Sequence, residues 1–371
     1  MRPEIIVAVK EFKDYLTSKR FLLIFAVLLL MSIAAIIAGV ASYNSQLATY
    51  NQELSTPPIS PLSGFIFKPQ MPSVLLIFQS FIVSFMTVGW LLAIAIGFDL
   101  ISKEKEGGSL KLLLARPVFR DSIINGKILG ATAVLVVALA ATFLVAVALL
   151  LFQGIVPAWS DLITLLTFFL ILVLFSLAFL AVAIAASALA KNSTIAILMA
   201  IGFVVFSLLI PSFSSSFGSA ILGSAPQAML PSTAVNSNSG NVQVSSGNAQ
   251  VSRVITGPGG AIFVNNGTGG TQIQMQVNPA YMTYELKMNI ITGIMDLASP
   301  TSDLSGISSD LLSSETATVN TDVNGHVQAA SNVQKSNNSI ADALLGSIPM
   351  LVITILGFAI AYLRFMRMDV R

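Results

Sequence analysis

The chain has no cysteine in 371 residues, which excludes a disulfide framework, a thiolate metal site and a cysteine nucleophile. Histidine is nearly as scarce. The single one, His326, has no second imidazole or thiolate with which to share a metal, so it reads as a solvated loop residue and no metal is expected. Charge is thin as well: 10% of residues are Asp, Glu, Lys or Arg, against 55% apolar, whereas soluble domains carry roughly a quarter charged. A water-soluble surface cannot be assembled from that balance, and no nucleic acid is expected as a partner.

What is abundant is apolar sequence in long unbroken runs. Six stretches approach the length of about 20 residues that a bilayer core requires: 21–40, 74–97, 128–152, 162–186, 195–211 and 345–363. None contains Asp, Glu, Lys, Arg or His. A charge at mid-bilayer costs at least ~2.5 kcal/mol, so no span carries an ionisable group that function must justify. The fifth run, ending near Pro211, is the shortest. The first is too long for a secretory signal and too far from any small-residue cleavage site, and is expected to be retained. The expected fold class is an all-α polytopic membrane protein with six transmembrane helices in a lipid bilayer.

Cationic loops resist translocation, and fifteen of the nineteen Lys and Arg residues fall on one side of the six runs. That side carries both termini and is expected to be cytoplasmic, in a cell (plasma) membrane. The other side holds only Lys68, Arg253, Lys287 and Lys335, although its connections are much longer.

Four regions follow along the chain: an N-terminal interfacial helix (1–20), the first five spans (21–211), an extracytoplasmic region (212–344), and the sixth span with a cytoplasmic C-terminus (345–371). Within 4–19, Ile5, Val9, Phe12 and Leu16 share one helical face while Lys10, Lys13 and Asp14 lie on others, the pattern of a helix lying on the inner leaflet. Partner docking or a simple cationic flank would each account for it. Residues 41–73 read as a polar outer loop, because Pro57, Pro58, Pro61, Pro69 and Pro72 cannot sustain a helix. In 212–344, rich in Ser, Asn, Gly, Thr and Gln, the alternation at 272–277 and the β-branched stretch 251–255 suggest a small sheet. Tyr281, Tyr284, Met288, Ile291 and Met295 then suggest a helix over 281–297. Asn266 and Asn337 head glycosylation-acceptor triplets, with unmodified turn residues as the equal alternative. Gly39, Gly89 and Gly97 would permit close helix approach, either between protomers or within one.

Catalytic patterns are missing. No His-Glu-x-x-His motif occurs, and the nearest fragment to a phosphate loop, Gly126-Lys127, has Asp121 where the first glycine must stand. The chain is therefore not expected to be an enzyme or to hydrolyse ATP. Active transport would need an ion gradient or a separate ATPase, and the absence of intramembrane ionisable groups favours the second.

The informative segment is the inner connection 99–127. Gly107 and Gly108 allow a sharp break, Ser109 can cap a new helix, residues 110–115 supply a short apolar turn, and Pro117 ends it. A second helix then begins near Arg120 or Asp121 and runs into the third span. Glu106-Gly107, a hydroxyl residue, the leucine-rich turn with Leu113, Pro117-Val118, Arg120 and Gly126-Lys127 before an apolar run closely resemble the type-2 ABC transporter permease family. Ser109 stands for the usual Thr after an extra Gly108, and Phe119 for the usual Ser.

The resemblance implies the permease subunit of an exporter, whose 99–127 segment is the coupling helix seated in a separate ATP-binding-cassette subunit. The residues it implicates in that contact are Glu104, Glu106, Gly107, Ser109, Leu113, Arg116, Pro117, Val118, Arg120 and Lys127. The 4–19 helix resembles the family's interfacial elbow, with Phe12 and Leu16 on the relevant face. A second permease copy is implied. No cofactor is implied on this chain, with ATP and Mg on the partner subunit. Two other readings stand beside it. One is a multi-span anchored surface protein whose function lies in 212–344, for which six spans are excessive. The other is a gradient-driven secondary carrier, disfavoured by the missing membrane-embedded charges and the lack of an evident inverted repeat.

Overall fold

Backbone amides in lipid find partners only within their own segment, so long apolar runs become helices. The computed structural model describes residues 3–55, 71–107, 120–226, 229–231, 254–256, 262–264, 273–277, 279–312, 320–321, 327–328 and 339–367. Among these the helices are α1 (Pro3–Leu16), α2 (Lys19–Ser55), α3 (Leu76–Gly97), α4 (Ser102–Glu106), α5 (Arg120–Phe152), α6 (Trp159–Leu189), α7 (Ser193–Leu222), α8 (Pro279–Asp296), α9 (Pro300–Leu312), α10 (Ser339–Gly346) and α11 (Ile348–Met366). Six segments are long and apolar enough to cross a membrane: α2, α3, α5, α6, α7 and the α10–α11 run. The chain is a multi-pass, predominantly helical membrane protein.

Two helices outrun their expected ends. The first continues to Ser55, so 41–55 is helix and not loop. No proline or glycine occurs in 41–55, Tyr43 is buried, and the polar side chains bond back to their own helix, as in Thr49 Oγ1 to the Ser45 carbonyl at 3.1 Å. The fifth span does not stop near Pro211 but runs through it to Leu222. A proline inside a helix leaves the carbonyl four residues earlier without its amide. That carbonyl, Ser207 O, instead accepts the hydroxyls of Ser299 at 2.7 Å and Thr301 at 2.9 Å. Hydroxyls from a neighbouring segment thus satisfy what the proline frees, the usual condition for proline in a membrane helix.

The described chain divides into two units. The first comprises Met1–Pro211, Asp296–Ser314 and Lys335–Arg371. Helix α6 lies at its centre and packs against α3, α5, α9 and α11. Rings adjoin in a chain from Phe78 through Phe81 and Phe85 to Phe175 and Phe179, edge-to-face or tilted except for the stacked Phe81–Phe85 pair. A Cβ at Gly357 would stand 2.8 Å from Ala181, and one at Gly97 would stand 2.7 Å from the Ala183 methyl, so these crossings are backbone-close. Gly39 abuts the Ile77 carbonyl in the same way, whereas a Cβ at Gly89 would meet only the ring of Phe85 on its own helix. The close-approach role of Gly39 and Gly97 is therefore filled within one protomer. Helix α9, unanticipated from the sequence, buries Leu304, Ile307 and Leu311 in this unit.

The second unit comprises Ser212–Met295 and Glu315–Gln334. It holds a four-stranded antiparallel sheet of β1 (Met229–Pro231), β2 (Val254–Thr256), β3 (Ile262–Val264) and β4 (Ile273–Val277) in the order β1-β4-β3-β2, and a two-stranded pair of β5 (Asn320–Thr321) and β6 (Val327–Gln328). Strands β2 and β4 fall on the described parts of the expected stretches 251–255 and 272–277, whose residues 251–253 and 272 lie outside the described residues, and α8 covers 281–296 of the expected helix. Helix α8 packs on the distal turns of α7, where Gly218 meets Met288 Sδ and the Tyr284 hydroxyl donates to the Gly223 carbonyl at 3.2 Å.

Candidate coupling site

A cluster of charged and hydroxyl side chains gathers where α1, the 98–107 segment, the start of α5 and the α6–α7 turn meet. Its centre is Lys127 on α5, whose side chain is only 3% exposed. The ammonium donates to Glu11 Oε1 of α1 at 2.7 Å and lies 2.8 Å from Glu104 Oε1 of α4. A buried cation persists only with partners of this kind. Helix α1 approaches α5 closely enough to present Glu11 because Gly126 and Gly130 leave room: a Cβ at Gly126 would be 2.7 Å from the Glu4 carbonyl oxygen, and one at Gly130 would be 2.8 Å from that of Ala8.

Helix α1 is also fixed to the end of α3. The Tyr15 hydroxyl donates to the Ile96 carbonyl at 2.8 Å. Burial, and then the negative charges of Asp99 and Glu11, hold the phenol well above its ordinary pKa, so it stays a neutral donor. The face of α1 toward α5 carries Ala8 and Glu11, while Ile5, Ile6 and Val9 are exposed. Phe12 is half-buried against the core, and Leu16 is exposed.

On the other flank the 98–107 segment holds the α6–α7 turn. Ser187 Oγ of α6 accepts the Ile101 and Ser102 amides at 3.0 and 2.9 Å, capping the turn that leads into α4. Lys105 Nζ donates to the carbonyls of Ala188 and Ala190 at 2.7 and 3.0 Å, where a helix C-terminus leaves acceptors unpaired and favours a cation. Glu106 accepts the Ser193 amide at 3.1 Å and its hydroxyl at 3.0 Å, placing a carboxylate at the N-terminus of α7. The six residues 101–106 thus hold α5, α6 and α7 together, and through Lys127 they reach Glu11 of α1.

The residues singled out from the sequence divide accordingly. Glu104 Oε1, both Glu106 carboxylate oxygens and the Lys127 ammonium are bonded within the chain, Glu104 Oε2 is buried without a partner among the described residues, and Gly107 ends α4 by donating its amide to the Lys103 carbonyl at 3.0 Å. Arg120 is the first residue of α5, as the sequence predicts. Ser109, Leu113, Arg116, Pro117 and Val118 lie outside the described residues, as do His326, Asn266 and Asn337. Sequence reasoning did not find Glu11, Tyr15, Lys105, Ser187 or Ser193. A signal for Glu11 did exist: a lysine seven residues into a helix that becomes wholly apolar needs a buried acid, and Glu11 is among the few nearby on the same side.

A family model described as ABC-2 family transporter protein matches residues 5–370. No curated protein matches the chain.

Proposed function

The chain belongs to the ABC-2 transporter family, and from that premise we propose that it is the permease half of an exporter driven by a separate ATP-binding-cassette subunit. It is a membrane transport component, with ATP and Mg on the partner and a second permease copy completing the path. The termini and the 99–127 connection face the cytoplasm, and the 212–344 region faces outward, in keeping with the skew of Lys and Arg.

The observation that carries this reading is the clamp. The segment leading into the motif-bearing stretch is bonded to four helices through Lys127 with Glu11 and Glu104, Ser187, Lys105 and Glu106. A push on residues 108–119 from closure of an ATPase groove would pass into α1, α5, α6 and α7 as one displacement, because charged hydrogen bonds inside a poorly hydrated cluster do not slide freely. Glu104, Glu106 and Lys127 then act as transmitters within the permease, while Ser109, Leu113, Arg116, Pro117, Val118 and Arg120 form the surface offered to the ATPase.

The test is to purify the tagged chain in mild detergent and identify by mass spectrometry what accompanies it. A stoichiometric ATP-binding-cassette subunit is expected, lost on charge reversal at Arg116 and Arg120. Purification of the chain alone across several mild detergents would overturn the reading.

A further inference from the structure

Away from the clamp, one helix face in the second unit is left bare. Helix α8 rests on the distal turns of α7 through Tyr284, Met288 and Ile291, gathered about Gly218 and Gly223. Its other side presents Met282, Leu286, Ile290 and Ile294, each four residues from the next and 56, 65, 61 and 64% exposed. At about 100° per residue, these positions centre nearly opposite the packed face. Glu285 and Lys287 stand on opposite flanks of the stripe, both exposed and neither in an ion pair among the described residues.

Isolated apolar side chains are common on a surface, but a continuous stripe of this kind marks a contact. Lipid is a poor match for it. A helix lying on a bilayer sets Lys and Arg along a polar face, whereas α8 has a single lysine, balanced by a glutamate, and its opposite side is occupied by α7. Resting on the permease reading, which supplies a second copy facing the same way in the same membrane, we propose that the α8 stripe packs on its own counterpart in that copy and forms an extracytoplasmic seam. Side chains at i and i+4 make the ridge that interdigitates in the commonest class of helix crossing. When two copies of the helix cross in the same sense, the two-fold axis brings opposite flanks together, so Glu285 meets the second copy's Lys287 and Lys287 meets the second copy's Glu285. An antiparallel crossing would instead set like charges against each other. With these flanks the stripe offers on the order of 500 Å² per copy, half the roughly 1,000 Å² that a specific interface buries.

The absence of cysteine makes the test direct. Leu286→Cys, Ile290→Cys and Thr292→Cys are introduced singly into the full chain, and native membranes are oxidised with copper phenanthroline. Leu286→Cys and Ile290→Cys are expected to give a disulfide-linked dimer, and Thr292→Cys, half-buried on the side toward α7, to give none. In the Ile290→Cys background, Glu285→Lys should lower the dimer yield about fivefold, the effect of losing two exposed ion pairs and gaining two repulsions, and adding Lys287→Glu should restore it. Equal yields at all three positions, which mark random collision, would overturn the proposal, as would a yield indifferent to both charge changes. So would an absent dimer at positions 286 and 290, whether their thiols resist an aqueous maleimide, which marks lipid, or react freely, which marks a bare surface. The assay needs no ATPase. A position-selective dimer without a co-purifying ATPase would therefore sink only the permease reading, and an ATPase complex with no dimer through α8 would sink only this one.

Discussion

Replacing Lys127 by methionine tests whether the buried triad holds α1 in place. Methionine keeps the apolar stem but removes the cation that bridges Glu11 and Glu104, whose oxygens approach it at 2.7 and 2.8 Å. With tetrahedral directions at the ammonium, those two carboxylate oxygens stand about 4.5 Å apart. At an effective dielectric of about 20, two unit charges at that separation repel by on the order of 4 kcal/mol. That agrees with the 3–5 kcal/mol typical of breaking a buried pair by removing one partner. Both acids are mostly buried, at 12% and 19% exposed, so solvent screens them little. The expected result is a markedly lower melting midpoint in detergent, followed by size-exclusion fluorescence after heating, with α1 becoming protease-sensitive first. Adding Glu11→Gln and Glu104→Gln to Lys127→Met removes the repulsion and should recover most of the loss, since a neutral buried set is often as stable as a charged one. The reasoning fails if Lys127→Met melts with the parent, or if the triple variant is no better than the single.

Other outcomes follow from the same geometry. Ser187→Ala strips the acceptor from two buried amides and should cost about 2–3 kcal/mol. Ser176→Ala removes a buried hydroxyl that lacks a partner among the described residues and should be neutral or stabilising by the same melting assay. Ser299→Ala with Thr301→Val orphans the Ser207 carbonyl and should destabilise the fifth span, while Pro211→Ala, which restores an amide to that carbonyl, should rescue it; absence of rescue refutes the assignment. Burial, and then the charge of Asp296, push Asp303 up to about 7. Its unfolded form ionises near pH 4, so between about pH 4 and 7 the folded state holds the extra proton and the stability of α9 falls as pH rises. In the cysteine-free chain, thiol labelling of an Ile307→Cys reporter, divided at each pH by the labelling rate of a free thiol, should accelerate from pH 5 to pH 8, and Asp303→Asn should flatten that normalised profile.

Much of this was legible in the chain, and the places where it was not are instructive. The residue pattern from Glu106 to Lys127 pointed to the family and to a helix starting at Arg120. It pointed Lys127 and Glu104 toward another subunit, because a charge beside a motif reveals nothing about which distant segment it meets. Lys105 looked like one more topological cation, yet it closes the end of α6, more than eighty residues away. Pro211 looked like a terminator because its partners, Ser299 and Thr301, lie some ninety residues on. The prolines of 57–72 coloured the reading of 41–55, which contains no helix breaker itself.

What the sequence alone determined is the six-span helical character, the uneven placement of Lys and Arg between the spans and the family motif. These depend on local composition, since in lipid each segment must satisfy its own backbone and each loop bears its own charge cost. Only the tertiary structure decided where α2 and α7 end, which acids neutralise Lys127 and what caps the α6–α7 turn. Those depend on partners far apart along the chain, and burying a charge or freeing a carbonyl is tolerable only once the fold has brought the answering group to it.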